Sequence, residues 1–322
     1  MGSIADKPET DAGESGTELA KPEYDFSKLG LRDDIPEHIY HRSPGISKHA
    51  LDQIAVSPLE YKTRKEHPEP PTPPMILGSA LHCLVLTPEL FDAEYMPDSD
   101  KPKKPTAAQL NAKTITPKTQ AQVAAYGAWQ AKTIGKTIIK DNPGNDPFWS
   151  PGDWQTIHNI RDAVRAHPVA SILLDPEQGW AERSPYWMDK ETARLCRSRV
   201  DFFNEAHGLA IDLKTAASAR YSDFLRTVSD FRYHVQAAMY TAGLKAVGVP
   251  VKAFCFVVVE KKPPYAIGIY TLDAQARHIG HTMWRQDMRL YDECKTKDEW
   301  PSFPPHVREL ILPPWAERGK FS

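Results

Sequence analysis

From Phe254 to Val259 every residue is apolar, a run of strand length in which no position alternates toward solvent. Such a run predicts a strand over 252–260, followed by another at 265–271. Upstream, 180–188, 193–203 and 208–215 carry alternating or β-branched patterns, and Asn204 to Gly208 supplies turn residues between the last two. Helical spacing predicts the rest. Ser47 caps a helix over 48–55, Ser57-Pro58 opens a second, and Met75 to Leu86 is almost wholly apolar with His82 as its one ionisable residue. Thr116-Pro117 opens a long helix over 117–140, and another over 152–166 stops at His167-Pro168. Helices at about 219–228, 231–247 and 273–296 complete the pattern. Strands flanked by helices give an α/β core with a helical N-terminal elaboration, and no internal repeat is visible.

Composition narrows the class. Among 322 residues, 41% are apolar and 25% charged, the balance of a globular protein. No stretch approaches the roughly 20 apolar residues of a membrane span, and the N-terminus lacks a basic flank and apolar stretch. The expectation is a soluble cytoplasmic protein with no membrane association. Cys83, Cys196, Cys255 and Cys294 are too scattered for a zinc knuckle or an iron–sulfur cluster, so reduced structural thiols are expected. The 29 prolines cluster in what reads as extended loops. Residues 1–36 hold nine Asp/Glu against four Lys/Arg, and with little apolar periodicity residues 1–40 read as a disordered acidic arm. The main domain is expected over 41–300, with a proline-rich tail over 301–322. Residues 101–140 contain eight lysines and no acid. On a continuous helix, Lys132, Lys136 and Lys140 form one basic stripe suited to backbone phosphates.

Chemistry concentrates in the hairpin. Strand alternation sets Ala210, Asp212 and Lys214 on one face and Leu209, Ile211 and Leu213 on the other, which predicts a polar face opposite an apolar one. Arg197, Arg199 and Asp201 share a face of the preceding strand. Asp201 and Asp212 lie 11 positions apart across a short turn, close enough to bring two carboxylates together beside Lys214. Oxygen ligands of this kind suit Mg²⁺ or Mn²⁺. On the helix that follows, Gln236 and Tyr240 are four apart and share a face. A salt-bridged hairpin and a core amide and phenol are the structural readings of the same residues.

Three runs, Cys196-Arg197-Ser198-Arg199-Val200-Asp201, Ile211-Asp212-Leu213-Lys214-Thr215 and His234-Val235-Gln236-Ala237-Ala238-Met239-Tyr240, together resemble the PD-(D/E)XK nucleases. The likeness is to the RecE branch, the exodeoxyribonuclease VIII type, whose G-x-x-x-H helix is similar to Gly78-Ser79-Ala80-Leu81-His82. The resemblance, from about 45 to 295, implies a central mixed sheet flanked by helices. It implies Asp201 and Asp212 as metal ligands, His82 completing the shell, the Leu213 carbonyl as a further ligand, and Lys214 as the catalytic lysine. Gln236 and Tyr240 form the motif after the core, and Glu182 is a residue that could assist. By the same resemblance the function is exonucleolytic hydrolysis of linear duplex DNA from ends, resecting the 5′ strand in homologous recombination. A single-strand annealing protein as partner and a homotetrameric ring are implied too. A RecB- or Cas4-like nuclease on single strands or flaps, and an inactive DNA-binding module of the same fold, are the alternatives; the absence of a cysteine cluster weighs against the Cas4 type.

Overall fold

The computed structural model describes residues 24–99, 101–112 and 114–311. The chain begins with β1 (Gly30–Arg32) and α1 (Glu37–Tyr40), then α2 (Lys48–Val56) and α3 (Pro58–Glu66). Ser47 and Ser57 accept from Ala50 N and Glu60 N, so both expected caps form, each worth about 1 kcal/mol. Next come α4 (Pro73–Leu86), α5 (Pro88–Glu94), β2 (Tyr95–Pro97), α6 (Ala107–Leu110), α7 (Pro117–Thr133), β3 (Thr137–Ile139), α8 (Asp153–Ala166) and α9 (Ala170–Leu173). The second half contains β4 (Gly179–Met188), β5 (Leu195–Arg197), β6 (Val200–Asn204), β7 (Leu209–Ala216), α10 (Tyr221–Asp230), α11 (Tyr233–Ala246), β8 (Ala253–Glu260), β9 (Ile267–Thr271) and α12 (Ala274–Lys297).

Seven strands form one mixed sheet in the order β1-β4-β6-β7-β8-β9, with β5 on β4. All pairs are antiparallel except β7 with β8, whose connection runs through α10 and α11, as a parallel pair requires. α4 and α8 cover one face, meeting Phe202, Ile211, Leu213, Cys255, Val257 and Val259. α10 and α11 cover the other through Ala210, Phe254, Phe256 and Val258. α2 and α12 then bury the outer side of α11 around Met239, Trp284 and Met288. This is the α/β fold with a central mixed sheet between helices that the sequence pattern describes. All four cysteines are free and buried. Among the described residues no helix is long and apolar enough to cross a membrane.

Several expectations change. The acidic arm was placed over 1–40, but β1 pairs antiparallel with β4 and Ile35 and Tyr40 are buried, so the folded part begins before residue 41. Residues 1–23 of that arm and 312–322 of the tail, Trp315 included, lie outside the described residues. The expected strand 193–203 breaks at Ser198-Arg199. Its first part, β5, is engaged by Ile46, whose N–H donates to Leu195 O and whose carbonyl accepts from Arg197 N. The face of β7 expected to be polar is buried too: Asp212 is 1% exposed beneath α11.

The basic stripe does not form. α7 ends at Thr133, because Gly135 takes a left-handed φ of +77° and the β-branched run Thr137-Ile138-Ile139 pairs parallel with β2. Lys132 is exposed in the last turn of α7, Lys136 donates to Asp92 O at 2.7 Å, and Lys140 is exposed beyond β3. The three lysines therefore share no helix face.

Candidate active site

The hairpin register positions the acids. β4 pairs with β6 as Ala181↔Phe202 and Arg183↔Val200, which sets Glu182 opposite Asp201. β6 pairs with β7 as Phe202↔Ile211, so Asp201 comes opposite Asp212 one step beyond the last paired residues. Three carboxylates thus lie in a row across three adjacent strands, where directly opposed like charges are destabilising. At this point the strands splay. Leu213 N–H donates to the Asp201 side chain at 2.9 Å, in place of a ladder carbonyl. Glu182 takes a left-handed φ of +54°, a strained conformation for a residue with a β-carbon.

α4 brings the fourth group. His82 Nδ1 stands 3.7 Å from Asp201 Oδ2 and 3.8 Å from Glu182 Oε1. One ligand atom each from His82, Glu182 and Asp201 lies within 4.8 Å of the other two. His82 Nε2 donates to the Leu213 carbonyl at 2.9 Å. The carbonyl thus holds the ring by Nε2 with Nδ1 toward the two carboxylates, so Leu213 O orients His82 and is not the fellow ligand the resemblance implied.

Asp212 stands slightly apart. Its Oδ1 accepts from Gln236 Nε2, and its Oδ2 lies 2.6 Å from Lys214 Nζ. The lysine contact falls outside hydrogen-bond geometry, so this buried oxygen has no aligned donor. The Lys214 ammonium sits 4.9 Å over the Tyr233 ring. Tyr240 shares the α11 face with Gln236, but it packs edge-on against Phe254 and makes no hydrogen bond to the acids.

Charge follows from these neighbours. Burial raises the Asp201 pKa to about 7; the imidazole beside it pulls the other way, while the Asp212 carboxylate adds to the rise. Burial disfavours a charged His82, yet Asp201 and Glu182 outweigh it and lift its pKa to about 9. Burial also disfavours the Lys214 ammonium, but Asp212 and Asp201 hold its pKa above that of an ordinary lysine. Without a metal, the three carboxylates face the His82 imidazolium, the Lys214 ammonium and, at Glu182, the Arg199 guanidinium.

The donor set fits a hard divalent cation. It offers an imidazole, two mutually close carboxylates and the Asp212 carboxylate beside them, with excess negative charge once His82 gives up its proton. The side chains of His82, Glu182, Asp201 and Lys214 are between 13% and 29% exposed, enough for solvent and substrate to reach. Structure therefore brings His82, Asp201, Asp212, Leu213, Lys214 and Gln236 to one corner and leaves Tyr240 in its packing. Glu182 enters the cluster more fully than its sequence position suggested, and Arg199 is an addition. It donates to Glu182 Oε2 at 2.6 Å, a contact that the β4–β6 register would have foretold.

A family model described as "PDDEXK-like domain of unknown function (DUF3799)" matches residues 50–304. No curated protein matches the chain by sequence. Among solved structures, the chain is similar to one called "Putative exonuclease" from Eubacterium rectale, with a TM-score of 0.52 and 11% identity, over 87% of this chain and 95% of that one. The structure of SSO0001 matches with a TM-score of 0.27 and 12% identity, over 66% and 86%.

Proposed function

The chain belongs to the PDDEXK-like family that spans its residues 50–304, and on that premise we propose that it is a metal-dependent exodeoxyribonuclease that hydrolyses linear duplex DNA from its ends. The observation that carries this reading is the convergence of His82, Glu182 and Asp201 beside the buried Asp212–Lys214 pair.

Hydrolysis of a phosphodiester builds negative charge on oxygens and needs a deprotonated water. A bound Mg²⁺ or Mn²⁺, held by His82, Asp201 and Glu182 with Asp212 beside them, would supply positive charge and lower the pKa of that water. The chain's own groups divide the remaining work. Lys214, an ammonium held beside Asp212, is placed to orient the attacking water and stabilise the developing oxyanion. Gln236 holds one Asp212 oxygen and so aims the other toward Lys214 and the cluster. To hold the cation His82 would be in its neutral form, so a divalent charge would replace the imidazolium beside the acids.

The four ordered motifs and their likeness to the RecE branch support the finer reading: 5′-strand resection in homologous recombination, an annealing protein as partner, and a homotetrameric ring. The exposed Lys132 and Lys140 are available for backbone phosphates. The test pairs linear with covalently closed circular duplex, in Mg²⁺ or EDTA. Loss of the linear form alone, only in Mg²⁺, is expected. Cutting of the circle would contradict end-dependence, and binding without degradation would mark an inert DNA-binding module.

A further inference from the structure

Residues 30–46 precede the family span and touch the site at two separate places. β1 adds to the outer edge of β4, with Arg32 opposite Ser184. The chain then crosses the sheet end, where Arg199 meets it. Arg199 Nε donates to Glu182 Oε2 at 2.6 Å, while its Nη1 donates to Ile35 O at 2.9 Å and to Ser184 Oγ at 3.1 Å. Arg197 fastens the same segment through the carbonyls of Tyr40, His41 and Gly45. The Tyr40 ring lies 4.5 Å from the Arg197 guanidinium and 5.6 Å from that of Arg199.

The second contact is with α4. Ser79 Oγ donates to Glu37 Oε1 at 2.7 Å. Ser79 is three residues before His82, hence one turn away on the same side of the helix.

The geometry points to residues 30–46 as a strap that sets the cation site: Arg199 is a positioning residue that fixes Glu182 against the Ile35 carbonyl, and Glu37 fixes the turn of α4 that carries His82. This rests on the functional reading above. Glu182 needs such a hold, because its backbone is in a left-handed conformation and its carboxylate faces Asp201. A planar guanidinium reaches Glu182, Ser184 and Ile35 in one geometry; an ammonium on a flexible stem does not. A strap that merely covered the edge of β4 would leave cation binding untouched.

The experiment measures Mn²⁺ affinity by calorimetry on full-length protein, with thermal midpoints and steady-state kinetics alongside. Arg199→Lys preserves charge, so its effect reports geometry. It is expected to weaken Mn²⁺ binding about 10–100-fold, the usual cost of losing a group that orients a ligand, and to lower kcat with little change in KM. Ser79→Ala is neutral and far milder to the fold, with about a threefold loss expected; it carries the test if Arg199→Lys does not fold. Either folded variant binding Mn²⁺ as tightly as the wild type overturns the strap's role in that contact. A wild-type protein that binds no Mn²⁺ overturns the functional reading itself, and the inference with it.

Discussion

The ionic cluster around Arg285 and the one at the hairpin are both largely buried, and they are built on opposite plans. Around Arg285, every charge has a partner: the guanidinium meets both Asp189 oxygens at 2.6 and 3.0 Å and Glu191 at 2.8 Å, and Thr192 donates twice to Asp189. Burial would raise the Asp189 pKa, but Arg285 and Thr192 outweigh it and hold it low. At the hairpin the acids instead face one another, Glu182 is strained and burial lifts the Asp201 pKa to about 7. The neighbouring strand shows what packing alone prefers there: Asp212 pairs in register with Phe256, and Lys214 with Val258. A buried ion pair in such a place is weak support for stability. The balanced cluster fastens α12 to the sheet, whereas the unbalanced one gathers the negative charge that the proposed cation would meet.

The contrast is most exposed by removing one charged group from each plan. Asp201→Asn keeps an acceptor for Leu213 N–H but removes a ligand, and cleavage of end-labelled duplex should fall at least ~10³-fold. Its thermal midpoint in EDTA should be unchanged or higher, since an opposed like charge is gone. Arg285→Ala should do the reverse, costing about 3–5 kcal/mol in denaturant unfolding by leaving Asp189 buried and unpaired, while the folded fraction cleaves normally.

Acidity sharpens the comparison by sign. Asp201 has a folded pKa above its unfolded value, so its contribution to stability is full at low pH and is lost as pH rises from about 4 through 7. Asp189, with a lowered pKa, contributes above about pH 4 and loses that contribution on further acidification. In EDTA, the midpoint difference between wild type and Asp201→Asn should therefore turn against the wild type between pH 4 and 7. The difference from Asp189→Asn should shift below that window. The smallest effect belongs to the rim of the balanced cluster. Glu191→Gln loosens pairs that are partly solvated, and denaturant midpoints should move by less than about 1 kcal/mol.

Local chemistry was legible in the chain wherever one residue type decides a conformation. Ser47, Ser57-Pro58 and Thr116-Pro117 start helices as expected, and Phe254 to Val259 lies in a strand as expected. The spacing of Asp201 and Asp212 about a short turn also placed them across from each other. Tertiary pairing was not legible. Gly30–Arg32 is too short and too polar to read as a strand, and it exists because β4 offers an edge. β5 and β6 separate because Ile46 reaches in from far upstream. The end of α7 was written in Gly135 and the β-branched residues after it, against which the lysine spacing weighed too heavily. Glu182 becomes a central group only through its register with Asp201, a relation that no local pattern carries.

The most direct test of the account is an anomalous-scattering map of crystals grown with Mn²⁺. The account predicts one peak bonded to His82, Glu182 and Asp201, with the Asp212 carboxylate turned toward it. No peak at that corner at saturating Mn²⁺, or a peak only elsewhere on the molecule, would contradict it.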